Sequence, residues 1–272
     1  MLLNLIYLLS ALVAVGLLLL TEGGIGLALA GFVGCFLLSL LVCFLTVWVA
    51  AKRTDPEKEH TEDDPFIRGI IKYYAPAVFR LLGCKIEVTG AEKLPRDSRF
   101  LLVSNHLADL DPGIFFTAFP DDQLSFIAKK EVAQMPIIGI LMRRILCQFV
   151  NRENDREALK TILKCISILK EDLSNVAVFP EGRKSTDCYL LHHFRPGVFK
   201  IAQKANVPIV VCTINGTQNM KANGKAGKRS DVHFHLLEVI PADEFKGIST
   251  TQIAERVHAI MAADLGPEFV AE

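Results

Sequence analysis

Charge is what the first part of this 272-residue chain lacks. Between Met1 and Ala51 the only charged side chain is Glu22, and 39 of those 51 residues are apolar. All 30 Lys and Arg residues, and every other Asp or Glu, lie from Lys52 onward. The zero net charge and 51% apolar content of the whole chain therefore average two unlike parts. Beyond Ala51 the apolar fraction falls to about 45%, an ordinary globular value. This distribution excludes a plain soluble enzyme, a disordered chain and a polytopic transporter. Paired cysteines are also missing. The seven Cys residues show no CxxC pair and no regular spacing, and several sit in apolar runs. An odd count without a framework suits a reducing compartment. No GxSxG nucleophile elbow is present. The soluble part carries a formal charge of only +1 and no nucleic-acid motif, so nucleic acid is not an expected partner.

What the first 51 residues do contain is length. Met1–Leu20 is apolar apart from Asn4, Ser10 and Gly16. Twenty helical residues span about 30 Å, the thickness of a bilayer's hydrocarbon core. Thr21-Glu22-Gly23-Gly24 interrupts the run with turn chemistry, and Ile25–Ala51 supplies a second apolar stretch ending at Trp48 and Lys52-Arg53. The pattern predicts a helical hairpin over residues 1–51, transmembrane or partly re-entrant. Gly23, Gly24, Gly26, Gly31 and Gly34 weaken the second run as a rigid helix but suit close packing against a neighbour. The cations follow the second span, so the positive-inside rule places the main domain on the cytoplasmic side, at the inner membrane in a bacterium. A cleaved signal peptide is the competing reading. The absent basic n-region and the immediate second span argue against it.

Residues 52–84 are expected to form a charged linker (Lys52–Asp64) followed by an amphipathic helix in Pro65–Gly83, broken near Pro76. Its pattern fits a helix at the headgroup level and a helix packed on the domain equally well. From residue 85 to 272, short apolar runs alternate with longer mixed segments. Strands are expected at Lys85–Thr89, Phe100–Ser104, Leu124–Ala128, Cys147–Val150, Val176–Phe179, Pro208–Ile214 and Val232–Val239. Helices are expected at Asp111–Phe119, Ile137–Arg144, Asn154–Asp172, Pro196–Ala205 and Thr250–Asp264. Interleaving of this kind indicates a single α/β domain with one mixed sheet. Lys221–Arg229 is expected to be a basic, glycine-containing loop, solvated or in contact with anionic lipid or an acidic carrier protein.

Three segments have the residues for chemistry. In the first, an apolar strand runs into Ser104-Asn105-His106, with Asp109 and Asp111 close behind. Ligands on α/β sheets sit beyond the carboxyl ends of strands. A His beside a carboxylate is the minimum apparatus for general-base work, since the carboxylate holds the imidazole's tautomer. In a regular helix Asp109 would face His106 better than Asp111. Asp111 requires a non-helical turn and a place near the start of the next helix, and Asp109 could simply cap that helix. In the second segment, Val176–Phe179 leads into Pro180-Glu181-Gly182-Arg183-Lys184. Here a carboxylate can accept from hydroxyls, a glycine permits close approach, and two cations suit an anion. The third is Arg152, beyond another short strand, whose fork suits a phosphate monoester unless it simply pairs with Glu153 or Asp155.

Taken together these segments resemble the lysophosphatidic acid acyltransferases, the 1-acylglycerol-3-phosphate acyltransferase family. The NH-x4-D block stands as Asn105-His106 and Asp111, the second block as Val150-Asn151-Arg152, the third as Phe179-Pro180-Glu181-Gly182, and the fourth as Val207-Pro208-Ile209-Val210. Arg195-Pro196-Gly197 resembles the basic-x-Gly step after the third block. The likeness runs from about Lys85 to Ile214. Two positions depart from it: Ala108 stands where the family often has Ser, and Arg183-Lys184-Ser185 where it often has Thr-Arg-Ser.

The resemblance implies an O-acyltransferase with His106 as general base, oriented by Asp111, acting on the thioester of acyl-CoA or acyl carrier protein. It implies that Arg152, Glu181, Gly182, Arg183 and Lys184 bind the phosphate of a membrane lipid acceptor, with no cofactor beyond the acyl donor. Three rivals are another acceptor lipid, a thioester hydrolase, and a non-catalytic lipid-binding protein. The cationic segments argue against the second and the His–Asp pair against the third. His192-His193 and His233-Phe234-His235 raise a metal site, but no matching Cys or carboxylate spacing accompanies them, so none is expected.

Overall fold

A computed structural model describes residues 2–52, 61–151 and 154–271. The expected linker at 53–60, and Arg152 with Glu153, lie outside the described residues. The two apolar runs form helices α1 (Leu2–Leu20) and α2 (Gly24–Lys52), both long and apolar enough to cross a membrane. Despite its glycines, α2 is one continuous helix, because packing against α1 compensates for their low propensity. Gly31 sits where a Cβ would lie 2.2 Å from Leu17, and Tyr7 stacks on Phe36 at 5.2 Å. Most other hairpin side chains point outward and are apolar.

Asp64 caps helix α3 (Pro65–Leu81), accepting from the N–H groups of Phe66 (2.9 Å) and Ile67 (3.2 Å), with Pro65 as the first helical residue. The expected break at Pro76 does not occur. A mid-helix proline removes one hydrogen bond, and burial of Ile67, Ile70 and Phe79 on the domain outweighs that loss. The helix thus packs on the domain, while Phe66, Tyr73, Val78 and Leu81 remain exposed on its outer side.

Seven strands form one mixed sheet: β1 (Cys84–Thr89), β2 (Leu101–Val103), β3 (Leu124–Lys129), β4 (Gln148–Val150), β5 (Asn175–Val178), β6 (Ile209–Asn215) and β7 (Ser230–Ile240). Their order is β1-β7-β6-β2-β5-β3-β4. Every pair is parallel except β6 with β7. All seven match the expected strands to within one or two residues at each end.

Helices α4 (Asp111–Ala118) and α5 (Ile138–Arg144) precede β3 and β4 respectively. Helix α6 (Asp155–Lys170) is capped by Asn154, and α9 (Thr250–Leu265) starts at a reciprocal Ser249–Gln252 capping box. The helix expected over Pro196–Ala205 is split into a 3-10 turn and α7 (Lys200–Ala205). The loop expected at Lys221–Arg229 contains the short helix α8 (Met220–Lys225), closed by Asn223 accepting from the N–H of Lys228 at 2.9 Å.

The central strands β2, β5 and β6 are buried on both faces, and their side chains alternate between two cores. Leu101, Val103, Val176, Val178, Ile209 and Val211 face one core, with α6, α7 and α9. Leu102, Ala177, Val210, Cys212 and Ile214 face the other, with α3 and α4. The last turns of α2 join the second core through Val47 and Ala50, and Tyr74 of α3 lies beside Cys43 and Thr46. Arg80 at the far end of α3 donates to the Asn4 side chain of α1. Helix α2 therefore runs antiparallel to α3, and the hairpin leaves the domain on the side of the strands' carboxyl ends.

Phe79 ties α3 to α4, its ring under Gly113, where a Cβ would come within 2.8 Å. Phe79→Ala is expected to cost roughly 3–5 kcal/mol through the cavity it leaves. Thermal melting of detergent-purified protein should show a clear drop in Tm.

Candidate active site

The segment after β2 is positioned by Asn105, which is fully buried. Its side-chain amide donates to the carbonyls of Leu190 and Ile214, both at 2.9 Å, and its carbonyl oxygen accepts from the N–H of Ile214 at 2.8 Å. Asn105 thereby ties the His loop to the end of β6 and to the segment before α7. Its polar atoms are satisfied internally, as a buried amide requires.

His106 follows, at the carboxyl end of β2. Its Nδ1 lies 2.8 Å from Oδ2 of Asp111. The same carboxylate oxygen accepts from the backbone N–H groups of Leu107 (2.6 Å) and Ala108 (2.8 Å). Asp111 is the first residue of α4 and fully buried. The chain between the two is the non-helical turn that a five-residue spacing demands. Asp109, the local alternative, points away and pairs with Lys184 at 2.5 Å. An imidazole held this way at Nδ1 presents Nε2 as the proton-accepting atom. Nε2 carries no hydrogen bond among the described residues, and the side chain is only 16% exposed.

Adjacent strand β5 brings in the second segment. Oε1 of Glu181 accepts the backbone N–H of His106 at 3.1 Å, and the carbonyl of His106 accepts from Ser185 N–H at 2.8 Å. The Phe179 ring stacks on the imidazole, with centroids 4.1 Å apart and planes 15° from parallel. Phe115 meets Phe179 edge-on, which extends the support into the second core. Glu181 is 5% exposed. Burial pushes its carboxyl up to about 8, opposed by the His106 N–H and raised further by the Asp111 charge. Its Oε2, like Oδ1 of Asp111, is buried and has no hydrogen-bond partner among the described residues. Gly182 has φ +75°, and a Cβ there would lie 2.9 Å from Nε of Arg195. Glycine at 182 thus lets the Arg195 guanidinium lie against the backbone of this turn.

Of the expected site residues, His106, Asp111, Glu181 and Gly182 come together in one cluster. Arg183 is exposed beside it, Lys184 is engaged with Asp109, and Arg152 lies outside the described residues. Phe179, Arg195 and Asn105 belong to the same cluster although their contributions are not assignable from sequence. Their only signal is their place within the motif blocks and the Arg195-Pro196-Gly197 step, because the contacts they make are non-local. Among the described residues no group of three His, Cys, Asp or Glu side chains could hold a metal ion. His235 instead lies 2.8 Å from Asp264, and His192 lies near Ser185 and Asp187.

A family model described as "Acyltransferase" matches residues 85–215, the span from β1 through β6 that builds this site. Those residues form an acyltransferase domain. A 1-acyl-sn-glycerol-3-phosphate acyltransferase from Borreliella burgdorferi is 30% identical over 179 residues, covering 64% of this chain and 70% of that protein. One from Saccharomyces cerevisiae is 27% identical over 188 residues, covering 68% and 61%. A probable 1-acyl-sn-glycerol-3-phosphate acyltransferase of Mycoplasma genitalium is 27% identical over 242 residues, covering 84% and 86%. The chain belongs to the family of the 1-acyl-sn-glycerol-3-phosphate acyltransferases. The fold is also that of the crystal structure of the 1-acyl-sn-glycerophosphate acyltransferase from Thermotoga maritima, with a TM-score of 0.61, 24% identity, and coverage of 74% of this chain and 78% of that one.

The raised Glu181 carboxyl yields a signed pH prediction. The unfolded chain ionises this group near its ordinary value of 4.5 and the folded chain near about 8. Stability is therefore lost as pH rises between those values, because the unfolded state sheds its proton first. Glu181→Gln keeps an acceptor for the His106 N–H and removes that loss. Melting curves from pH 5 to 8 should be flatter for the variant, which gains on the order of 1 kcal/mol or more at the upper end.

Proposed function

We propose that the protein transfers an acyl group from acyl-CoA or acyl carrier protein to the free hydroxyl of 1-acylglycerol-3-phosphate, giving phosphatidic acid. The observation that carries this reading is the buried Asp111 carboxylate bonded to His106 Nδ1, with Nε2 left as a base at the end of β2. Nε2 takes the proton of the acceptor hydroxyl as its oxygen attacks the thioester carbonyl. The C–O bond forms, and Asp111 stabilises the imidazolium. Collapse of the tetrahedral intermediate breaks the C–S bond, and the thiolate leaves with the proton returned by His106. No acyl-enzyme intermediate is needed. The oxyanion requires N–H donors, and the backbone of the His loop or of the third block is the source we favour.

In this reading Arg152 binds the acceptor phosphate. Glu181 and Gly182 shape that site, and Arg183 and Lys184 assist. The end of β4, two residues before Arg152, stands three strands from β2, or about 14 Å at the usual strand spacing. The relatives' names support this acceptor. The Ala108 and Arg183-Lys184 departures keep glycerol-3-phosphate, other lysophospholipids and lyso-aminolipids as the second reading, since they lie within two residues of His106 and Gly182. Two apolar helices long enough to cross a membrane support a location at the bilayer, where acceptor and product both reside. The cations Lys52-Arg53 at the end of the second apolar run support a cytoplasmic catalytic domain by the positive-inside rule.

Acyl transfer from labelled acyl-CoA by detergent-purified protein, comparing lysophosphatidic acid with a panel of other lysolipids, tests the assignment. Preference for a different lysolipid overturns the acceptor, and acid release without any acceptor overturns the transferase. His106→Ala and Asp111→Asn should each lower kcat by roughly 10²–10⁴-fold while membrane insertion is retained. Near-full activity of His106→Ala would end this mechanism. Arg152→Ala should mainly raise the acceptor KM. A rise confined to the acyl-thioester KM would move Arg152 to the donor site.

A further inference from the structure

From Cys188 to Ser230 the chain has 43 consecutive residues without an Asp or Glu, and seven Lys or Arg residues. Four of the seven, Lys221, Lys225, Lys228 and Arg229, fall in the connection between β6 and β7. All four are exposed, and none forms an ion pair among the described residues. The connection is nonetheless ordered. Its backbone turns through α8, and the Asn223 side chain donates to the Arg229 carbonyl (3.3 Å) and to the Ser230 hydroxyl (3.1 Å). A long strand pair without bound anions does not require four cations in its turn.

Topology determines where this charge lies. The connection leaves the carboxyl end of β6, next to the carboxyl end of β2 that carries His106. It also adjoins the foot of the hairpin. Ser230 N–H donates to the Gly83 carbonyl at 3.1 Å, and a Cβ on Gly83 would lie 4.0 Å from the Lys228 carbonyl. Three residues before Gly83, Arg80 reaches Asn4 at the start of α1. The outer side of that same end of α3 exposes Val78, Leu81 and Leu82, each 47% accessible. Apolar side chains beside unpaired cations, at the level where membrane helices meet the domain, form the two-part surface that suits a headgroup layer.

We propose that Lys221, Lys225, Lys228 and Arg229 form a docking surface for anionic lipid headgroups, which with Val78, Leu81 and Leu82 seats the catalytic rim on the bilayer. The hairpin tethers the chain to the membrane. The basic turn sets the tilt of the domain, so that the strand ends bearing His106 face the lipid. Each engaged cation contributes about fivefold to surface affinity, screened by salt.

The test uses the full chain in nanodiscs of phosphatidylcholine alone or mixed with phosphatidylglycerol, read by hydrogen–deuterium exchange over residues 220–230, which does not depend on turnover. Slower exchange in the anionic discs, reversed by high salt, is the expected result. The variant K221Q/K225Q/K228Q/R229Q should lose this protection, and the charge-preserving K221R/K225R/K228R should keep it. Both should retain the wild-type Tm and the wild-type transfer rate in neutral detergent micelles. Equal exchange in the two discs would overturn the proposal. So would protection that appears only when an acyl carrier protein is added, since the surface would then be a protein dock.

Discussion

One buried carboxylate organises the candidate site of this molecule. Oδ2 of Asp111 accepts two backbone N–H groups and faces the His106 ring from the first position of α4. A carboxylate removed from water needs hydrogen-bond donors, and the two amides supply them beside the imidazole. The turn between β2 and α4 is thus held by the same oxygen that faces Nδ1 of His106. Loss of the His–Asp geometry and loss of the local fold are closely linked for that reason. Phe179 and Glu181 restrain the histidine from the neighbouring strand, through ring stacking and through its backbone N–H.

The second constraint is the side of the sheet on which things happen. β6, β2, β5, β3 and β4 are parallel, so their carboxyl ends share one edge. That edge carries the His loop, the Glu181-Gly182 turn and Lys129-Lys130. The antiparallel α2–α3 pairing sends the hairpin out on the same side. In the proposed reaction the acceptor stays in its bilayer, so the proposed base has to come to that surface. Strand direction and hairpin direction together meet that requirement.

Much of the fold was legible because its determinants are local. Seven apolar runs bounded by polar turns became the seven strands, and an uncharged start became two long helices. Where local rules failed, tertiary contact overrode them. Pro76 did not break α3, because Ile67, Ile70 and Phe79 bury one face of that helix. The basic run at 221–229 folded a helical turn, closed by the backbone and by Asn223. The buried cysteines are also explained by packing. Desolvation raises the Cys147 thiol to about 12 and Cys165 and Cys212 well above their ordinary values, so these thiols fill space without reacting.

By itself, the sequence determined the division into apolar hairpin and α/β domain, the strand order along the chain, and the residue types from which a base and an anion site could be built. It left Asp109 and Asp111 both available to His106, and it offered no reason to connect Glu181, Arg195 or Asn105 to particular atoms. Those choices belong to the tertiary structure. Glu181 meets the His106 N–H across 75 residues, and Asn105 meets Ile214 across 109. Contacts at such separations exist only once β2 has taken its place between β5 and β6. That pairing depends on burying both faces of the sheet at once, a condition that no local stretch of sequence expresses.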